Sequence, residues 1–208
     1  MTAKKEALRR KPEQGRAKRT LDTILTSAKR LIEEKGTDGF TMAELARQAG
    51  ISKPAMYRYF PNKQALLLEL SRQTFRENKE LLAANLKSKS HDVVQSLQTA
   101  LHDYCMRQRS ESFRSHLRAA MHADPELATL DLADSRANAK QAARYLLSHY
   151  PDLDKKEVET QMLIIMGCVD SVAHMVSHVD DAEADALIRG FGQMCVKALS
   201  LTPRTPKT

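Results

Sequence analysis

The sequence predicts an all-α protein of about nine helices. Apolar residues recur at helical spacing along nearly the whole chain, and no stretch shows strand alternation. Helix-start signals punctuate it at regular intervals: Thr41, Ser52, Asn62, Ser90, Asp124, Asp154 and Asp180 each precede an apolar-periodic run. Aromatics make up 5% of the 208 residues and Trp is absent, as suits cores of Leu, Ala and Met.

Charge divides the chain. The net charge is +7; residues 1–90 hold 20 Lys or Arg against 10 Asp or Glu, and residues 91–208 hold 13 against 16. All seven His fall in the second part. A basic front and a mildly acidic back imply that the front meets a polyanion. The expected organisation is a flexible basic arm over 1–18, a three-helix head over 19–65, a helical body over 66–200 and a fraying tail over 201–208.

Taken in order, the arm carries Lys4, Lys5, Arg9, Arg10, Lys11, Arg16 and Lys18 around Pro12 and Gly15. Such a tail either stays solvated or reaches phosphates and a minor groove. The first helix is expected from about Arg19 to Lys35, with Leu21, Ile24, Leu25, Ala28, Leu31 and Ile32 in one stripe. Gly36 and Gly39 end it.

The chain is organised around Thr41 to Lys63. Thr41 with Glu44 reads as a capping box, in which each end satisfies the other's amide. Leu45, Ala46 and Ala49 share a face. Gly50 stops that helix because glycine enters the left-handed region without a Cβ penalty. Ile51 pins the turn, Ser52 caps the next helix, and Pro54 sits in its first turn. Met56 and Phe60 are four apart and face inward together. Lys53, Ala55, Tyr57, Arg58 and Tyr59 are left for the outside, and Pro61 ends the helix. This is a helix-turn-helix pattern whose second helix suits a major groove of double-stranded DNA. Cations neutralise phosphates, Tyr hydroxyls position the backbone, and Ala55 can approach a thymine methyl. The bland alternative is a helical hairpin with a solvated basic face.

At these residues the chain resembles the DNA-binding domain of the tetracycline-repressor (TetR) family of bacterial regulators. The resemblance runs from Arg19 through Leu70, about a quarter of the chain. Its marks are Ile24, Ala28, Leu31, Gly36, Phe40-Thr41, Leu45-Ala46, Ala49-Gly50-Ile51-Ser52, Met56-Tyr57, Tyr59-Phe60, Asn62-Lys63 and Leu66-Leu67. Two departures stand out: Pro54, where Gly or Ala is common, and Pro61-Asn62, where a Ser cap is more usual. The resemblance implies a regulator reading a palindromic operator. Lys53, Pro54, Ala55, Tyr57 and Arg58 are then expected at base edges and nearby phosphates. Thr41, Ser52, Tyr59 and Lys63 are expected on the DNA backbone.

The fourth helix opens at Asn62 and runs to about Leu86, and Lys87 to Ser90 reads as a break. Ser90 is expected to cap a helix over about 91–109, followed by a short one over about 112–122. Asp124-Pro125 opens a helix to about His149. Asp154 with Glu157 starts one through about Val179, and Asp180 or Asp181 caps the last, ending near Ser200. Met162, Leu163, Ile164, Ile165, Met166, Val169, Val172 and Met175 make the eighth helix apolar nearly all round, so it must be covered on several sides. Gly167, Gly190 and Gly192 would let helix backbones approach. The resemblance implies a homodimer through the last two helices.

The body is expected to hold a pocket for a hydrophobic or amphipathic small-molecule effector. Its apolar candidates are Phe75, Leu101, Cys105, Phe113, Met121, Met162 and Met166. Its polar-edged candidates are Tyr104, Tyr145, Asp170 and His174. Most of these are expected to be plain core. His116 and His122 with Arg114 and Arg118 make a basic short helix, read as a solvated face or, through the resemblance, as a coupling element. His174, His178 and Asp170 have spacing that could hold a metal, with a polar strip as the blander reading. Cys105, Cys168 and Cys195 make no disulfide framework and read as small buried hydrophobes.

No glycine-rich phosphate loop, nucleophile elbow, CxxC pair or HExxH motif is present, so neither an enzyme nor a cofactor is expected. The charged N-terminus is not a signal peptide, and the run from Met162 to Val169 is too short to span a bilayer. A soluble cytoplasmic protein is expected. The alternatives to a ligand-responsive repressor are a sequence-nonspecific DNA-binding protein and a small helical enzyme or metal-binding protein.

Overall fold

The computed structural model describes residues 3–87 and 92–199, with side chains from residue 15 onward. Among the described residues there are nine helices and no strands. They are α1 (Ala3–Lys35), α2 (Met42–Gln48), α3 (Lys53–Tyr59), α4 (Lys63–Leu86), α5 (Val93–Ser110), α6 (Phe113–Ala123), α7 (Pro125–His149), α8 (Lys155–Val176) and α9 (Asp181–Ala198). The chain divides into two compact units, Met1–Arg72 and Gln73–Thr208. The division falls inside α4, at 72/73 and not at the 65/66 boundary expected from the sequence.

The first unit is built by local rules. Ile24, Ala28, Leu31 and Ile32 of α1 are buried, and α2 packs against both α1 and α3. Thr41 Oγ1 accepts from the Glu44 amide at 3.1 Å, as expected of a cap. The Glu44 carboxylate takes the Lys35 ammonium and reaches back to the Thr41 backbone, completing the box, and these bonds hold its pKa below the usual range. Gly50 has φ +66° and Gly36 φ +72°. Gly39 is needed for another reason, since a Cβ there would lie 2.1 Å from the Lys35 carbonyl oxygen.

One expectation for this unit is corrected. The arm over 1–18 was read as flexible, with the helix starting at Arg19, but α1 begins at Ala3. Residues 3–11 are Ala, Lys, Glu, Leu and Arg, all residues of high intrinsic helix propensity.

Two of the apolar clusters lie among the described residues of the second unit. One gathers Val93, Ala139, Ala142, Leu146, Val158 and Met162 from α5, α7 and α8. The other gathers Cys105, Val169, Val172, Val176, Ala184 and Ile188 from α5, α8 and α9. Caps set the helix starts. Asp124 accepts from the Glu126 and Leu127 amides, Asp154 from Glu157 and Asp180 from Glu183. For α5 the cap is Asp92, which accepts from the Val94 and Gln95 amides, in place of Ser90. A carboxylate also complements the helix dipole, and this favours Asp over Ser here. Ser90, the break around it and the tail over 201–208 lie outside the described residues.

Candidate nucleic-acid interface and ligand cavity

In the first unit α3 has two unlike faces. Met56 and Phe60 are buried at 0% and 5% exposure, which fixes the rotation of a helix only seven residues long. Lys53, Pro54, Tyr57 and Arg58 are exposed on the remaining surface, while Ala55 and Tyr59 are half-buried. Tyr57 is 49% exposed, a large aromatic held in solvent by the helix it sits on. Ser52 Oγ accepts from the Ala55 amide at 3.3 Å, and Pro54 occupies the first turn, where its missing N–H leaves no gap.

Thr41 is exposed at the start of α2. Lys63 behaves differently from the other cations. Its Nζ donates to the Thr37 carbonyl at 3.0 Å and the Asp38 carbonyl at 3.4 Å, and it lies 4.5 Å from the centre of the Phe40 ring. Lys63 therefore fastens α4 to the loop between α1 and α2.

In the second unit a cavity opens among α4, α5, α6, α7, α8 and α9. It offers about 120 Å³ to the centres of water-sized molecules, within about 1000 Å³ free of protein atoms that includes open solvent. Of the residues expected to line a pocket, Leu101, Tyr104, Met162, Met166 and Asp170 do so. Phe75, Cys105, Phe113 and Met121 are buried core instead. Tyr145 packs on the apolar cluster of α7 and α8, and His174 is exposed beside His178, their ring centres 4.6 Å apart.

At the polar end of the cavity, Tyr104 and Asp170 match the expected set, while Arg118, Asp134 and Asn138 are additions that sequence reasoning missed. Arg118 was read as part of a solvated basic face. Its side chain is 19% exposed and bonds Asp131 through Nη1, while Nη2 lies 2.9 Å from Asp170 Oδ1. Tyr104 Oη donates to the same Asp170 oxygen at 2.5 Å. Asp170 is thus held by an arginine and a tyrosine. Among the described residues no group of three or more His, Cys, Asp or Glu is placed to hold a metal ion. Burial pushes the Asp170 carboxyl above its ordinary pKa, although Arg118 and Tyr104 pull it down. Burial and then Asp170 push the Tyr104 hydroxyl well above its ordinary value, so it stays a donor.

Arg114, also read as solvated, is 2% exposed. It bonds Glu77, Glu111 at 2.8 Å and Asn78 at 3.3 Å. The spacing of Arg114 and Arg118 marks one helix face. It does not say that carboxylates from α4, α7 and α8 cover that face. Cys105 is buried and its thiol is pushed up to about 12, as is Cys195 to about 11, both chiefly by burial. Cys168 is exposed, against the expectation of a buried hydrophobe.

The α8–α9 surface leaves Ile164, Met175 and Met194 at 52%, 44% and 67% exposure. Gly167 and Gly190 are exposed, with open space where a Cβ would be. Gly192 is not part of that surface: it is buried, and a Cβ there would lie 3.6 Å from Gln98 and Leu101 of α5. No helix among the described residues is long and apolar enough to cross a membrane.

A short head with an exposed recognition-type helix and a helical body with a cavity define the class of two-module helix-turn-helix regulators. Comparison places the chain within it. The model for bacterial regulatory proteins of the tetR family matches residues 24–70, and that for the tetracyclin repressor-like C-terminal domain matches residues 91–202. The chain belongs to the tetR family of bacterial regulatory proteins.

The tetracycline repressor protein class A from transposon 1721 of Escherichia coli is 40% identical over 57 residues, 27% of this chain and 26% of that one. The HTH-type transcriptional regulator EthR of Mycolicibacterium smegmatis is 49% identical over 47 residues, 23% of this chain and 22% of that one. The matched stretch thus spans about a quarter of these relatives' length. The fold likeness is wider. The transcriptional regulator FadR from Bacillus subtilis, solved in complex with stearoyl-CoA, superposes with TM-score 0.71 at 17% identity, over 86% of this chain and 98% of that one. A regulator of the TerR/AcrR family from Aquifex aeolicus gives 0.63 at 20% identity, over 84% and 96%.

Proposed function

We propose that the chain is a ligand-responsive transcriptional repressor, acting in the cytoplasm as a homodimer on a palindromic operator. The observation that carries this reading is the division of α3, with Met56 and Phe60 anchored inward and Lys53, Tyr57 and Arg58 held in solvent. On this reading Lys53, Pro54, Ala55, Tyr57 and Arg58 meet base edges and nearby phosphates, and Thr41, Ser52 and Tyr59 meet the backbone. Lys63 acts by ordering the loop at Thr37 and Asp38 and offers phosphate only its remaining proton.

The exposed apolar residues Ile164, Met175 and Met194 support pairing of α8 and α9 with their counterparts, since two-fold pairing covers both copies of the patch at once. The cavity supports a hydrophobic or amphipathic effector. Such an effector shifts the protein between DNA-binding and released states only by its unequal affinity for them.

Selection from a pool of random DNA duplexes tests the reading. The expected result is one enriched palindrome, lost with Tyr57→Ala, since a base-reading side chain contributes about 1–3 kcal/mol of discrimination. Retention of every sequence alike would overturn it in favour of nonspecific DNA coating.

A further inference from the structure

The cavity's polar end carries more negative than positive charge. Arg118 faces Asp131 and Asp170, which it pairs with directly, and Asp134 stands beside them on α7. In the lining itself Arg118 stands against two carboxylates, Asp134 and Asp170. Among the described residues no cation pairs with Asp134; its one bond is from Asn138 Nδ2 to Oδ2 at 2.9 Å. Asn138 is 8% exposed, lines the cavity, and keeps its Oδ1 buried with no hydrogen-bond partner. A buried acceptor without a donor is costly, and a half-buried carboxylate gains from a cation beside it.

The rest of the lining is apolar: Leu81, Leu97, Leu101, Ile165 and Val169 surround that end. Resting on the reading of this cavity as the effector site, we propose that it takes an amphipathic primary amine. The protonated head pairs with Asp134 and donates to Asn138 Oδ1, and the hydrocarbon body lies along the leucines. An ammonium supplies both missing partners at once, three donors and a positive charge. An anionic head meets two carboxylates, Asp134 and Asp170, and an arginine already engaged by Asp170 and Asp131.

The carboxyl of Asp134 behaves as such a site requires. Burial, and then the charge of Asp131, push it up to about 6. Asp131 on its own helix, Arg118 on α6 and Lys79 on α4 are the charged groups acting on it. His122 of α6 acts on Asp170.

Calorimetric titration of the full chain with decylamine, decanol and decanoate at pH 7.5 tests the proposal. Decylamine should bind about tenfold or more tighter than decanol, and decanoate weakest, as a charge-assisted pair implies. The amine's advantage should shrink between pH 7.5 and 5 as Asp134 takes up a proton. That pH dependence should vanish in Asp134→Asn, a variant of the same shape, which separates it from His122. Decanoate binding as tightly as decylamine, or an amine preference that survives Asp134→Asn, would overturn the choice of head group alone. Failure of all three to bind would overturn the effector-site reading itself.

Discussion

Lys63 Nζ donates to the Thr37 carbonyl oxygen at 3.0 Å, across 26 residues of sequence. The bond joins the first residue of α4 to the loop that leads into α2. The same ammonium caps the Phe40 ring, a cation–π contact on a side chain that is itself 2% exposed.

Lys63→Ala should therefore loosen the head before it touches DNA. The expected loss is about 1 kcal/mol of stability, read as an earlier step in chemical denaturation. DNA binding should weaken, but the slope of log K against log salt should change less than for Lys53→Ala, because fewer counterions depend on a tethered ammonium. Equal slope changes for the two would show that Lys63 serves mainly as a phosphate ligand.

The two glycines that flank α2 should fail differently when given a side chain. At Gly50 the φ of +66° is the obstacle, and there is open space around a Cβ. Gly50→Ala should cost about 1–2 kcal/mol, the ordinary penalty of the left-handed region. At Gly39 a Cβ would strike the Lys35 carbonyl, and backbone must move. Gly39→Ala should therefore be the more destabilising of the two by urea titration.

Much of this was legible in the sequence, because caps and stops are local. Thr41, Ser52, Asn62, Asp124, Asp154 and Asp180 announce helix starts within three residues of the amides they bond. Gly50 announces a stop by the same short-range logic. The rotation of α3 followed from Met56 and Phe60, so Lys53, Tyr57 and Arg58 were readable as exposed, while Ala55 and Tyr59, also expected outside, are half-buried. What was not readable depends on partners far along the chain. Arg114 looks like a surface residue until Glu77 and Asn78 arrive from α4. Arg118 looks so until Asp131 and Asp170 arrive from α7 and α8. Likewise Phe113 and Met121 have the composition of pocket walls, and only packing decides that they are core.

Arg114 gives that point a measurable form. Its side chain is 1% exposed and carries three bonds to groups from two segments. Arg114→Ala removes the guanidinium that Glu77, Glu111 and Asn78 share. The expected loss is about 3–5 kcal/mol, the range for breaking a buried ion pair from one side. Arg107→Ala is the contrast, since its 3.4 Å pair with Glu111 is a third exposed and should matter little. Melting curves of the two variants should differ plainly.

The apolar surface of α8 and α9 should respond to charge. Ile164→Glu with Met194→Glu places two carboxylates where the proposed partner helices meet. Light scattering should then give a monomer, while circular dichroism keeps the helix content. A monomer before substitution would remove the interface, and a dimer after it would move the interface elsewhere.

Asp134 ties stability to pH in a direction opposite to most carboxylates. Its pKa rises to about 6 in the folded body, from an ordinary value of 3.8. Between those two values the folded state holds a proton that the unfolded chain has released. Stability from this group is therefore greatest below about 4 and is lost as pH rises through 6. Asp134→Asn removes the penalty of ionising a carboxylate beside Asp131, and the amide can still accept from Asn138 Nδ2. The variant should melt higher than the native chain at pH 7.5, and its advantage should fade as pH falls toward 4. An advantage that holds constant across this range would mean that Asp134 titrates like an exposed aspartate, so that its charge finds company the cavity does not provide.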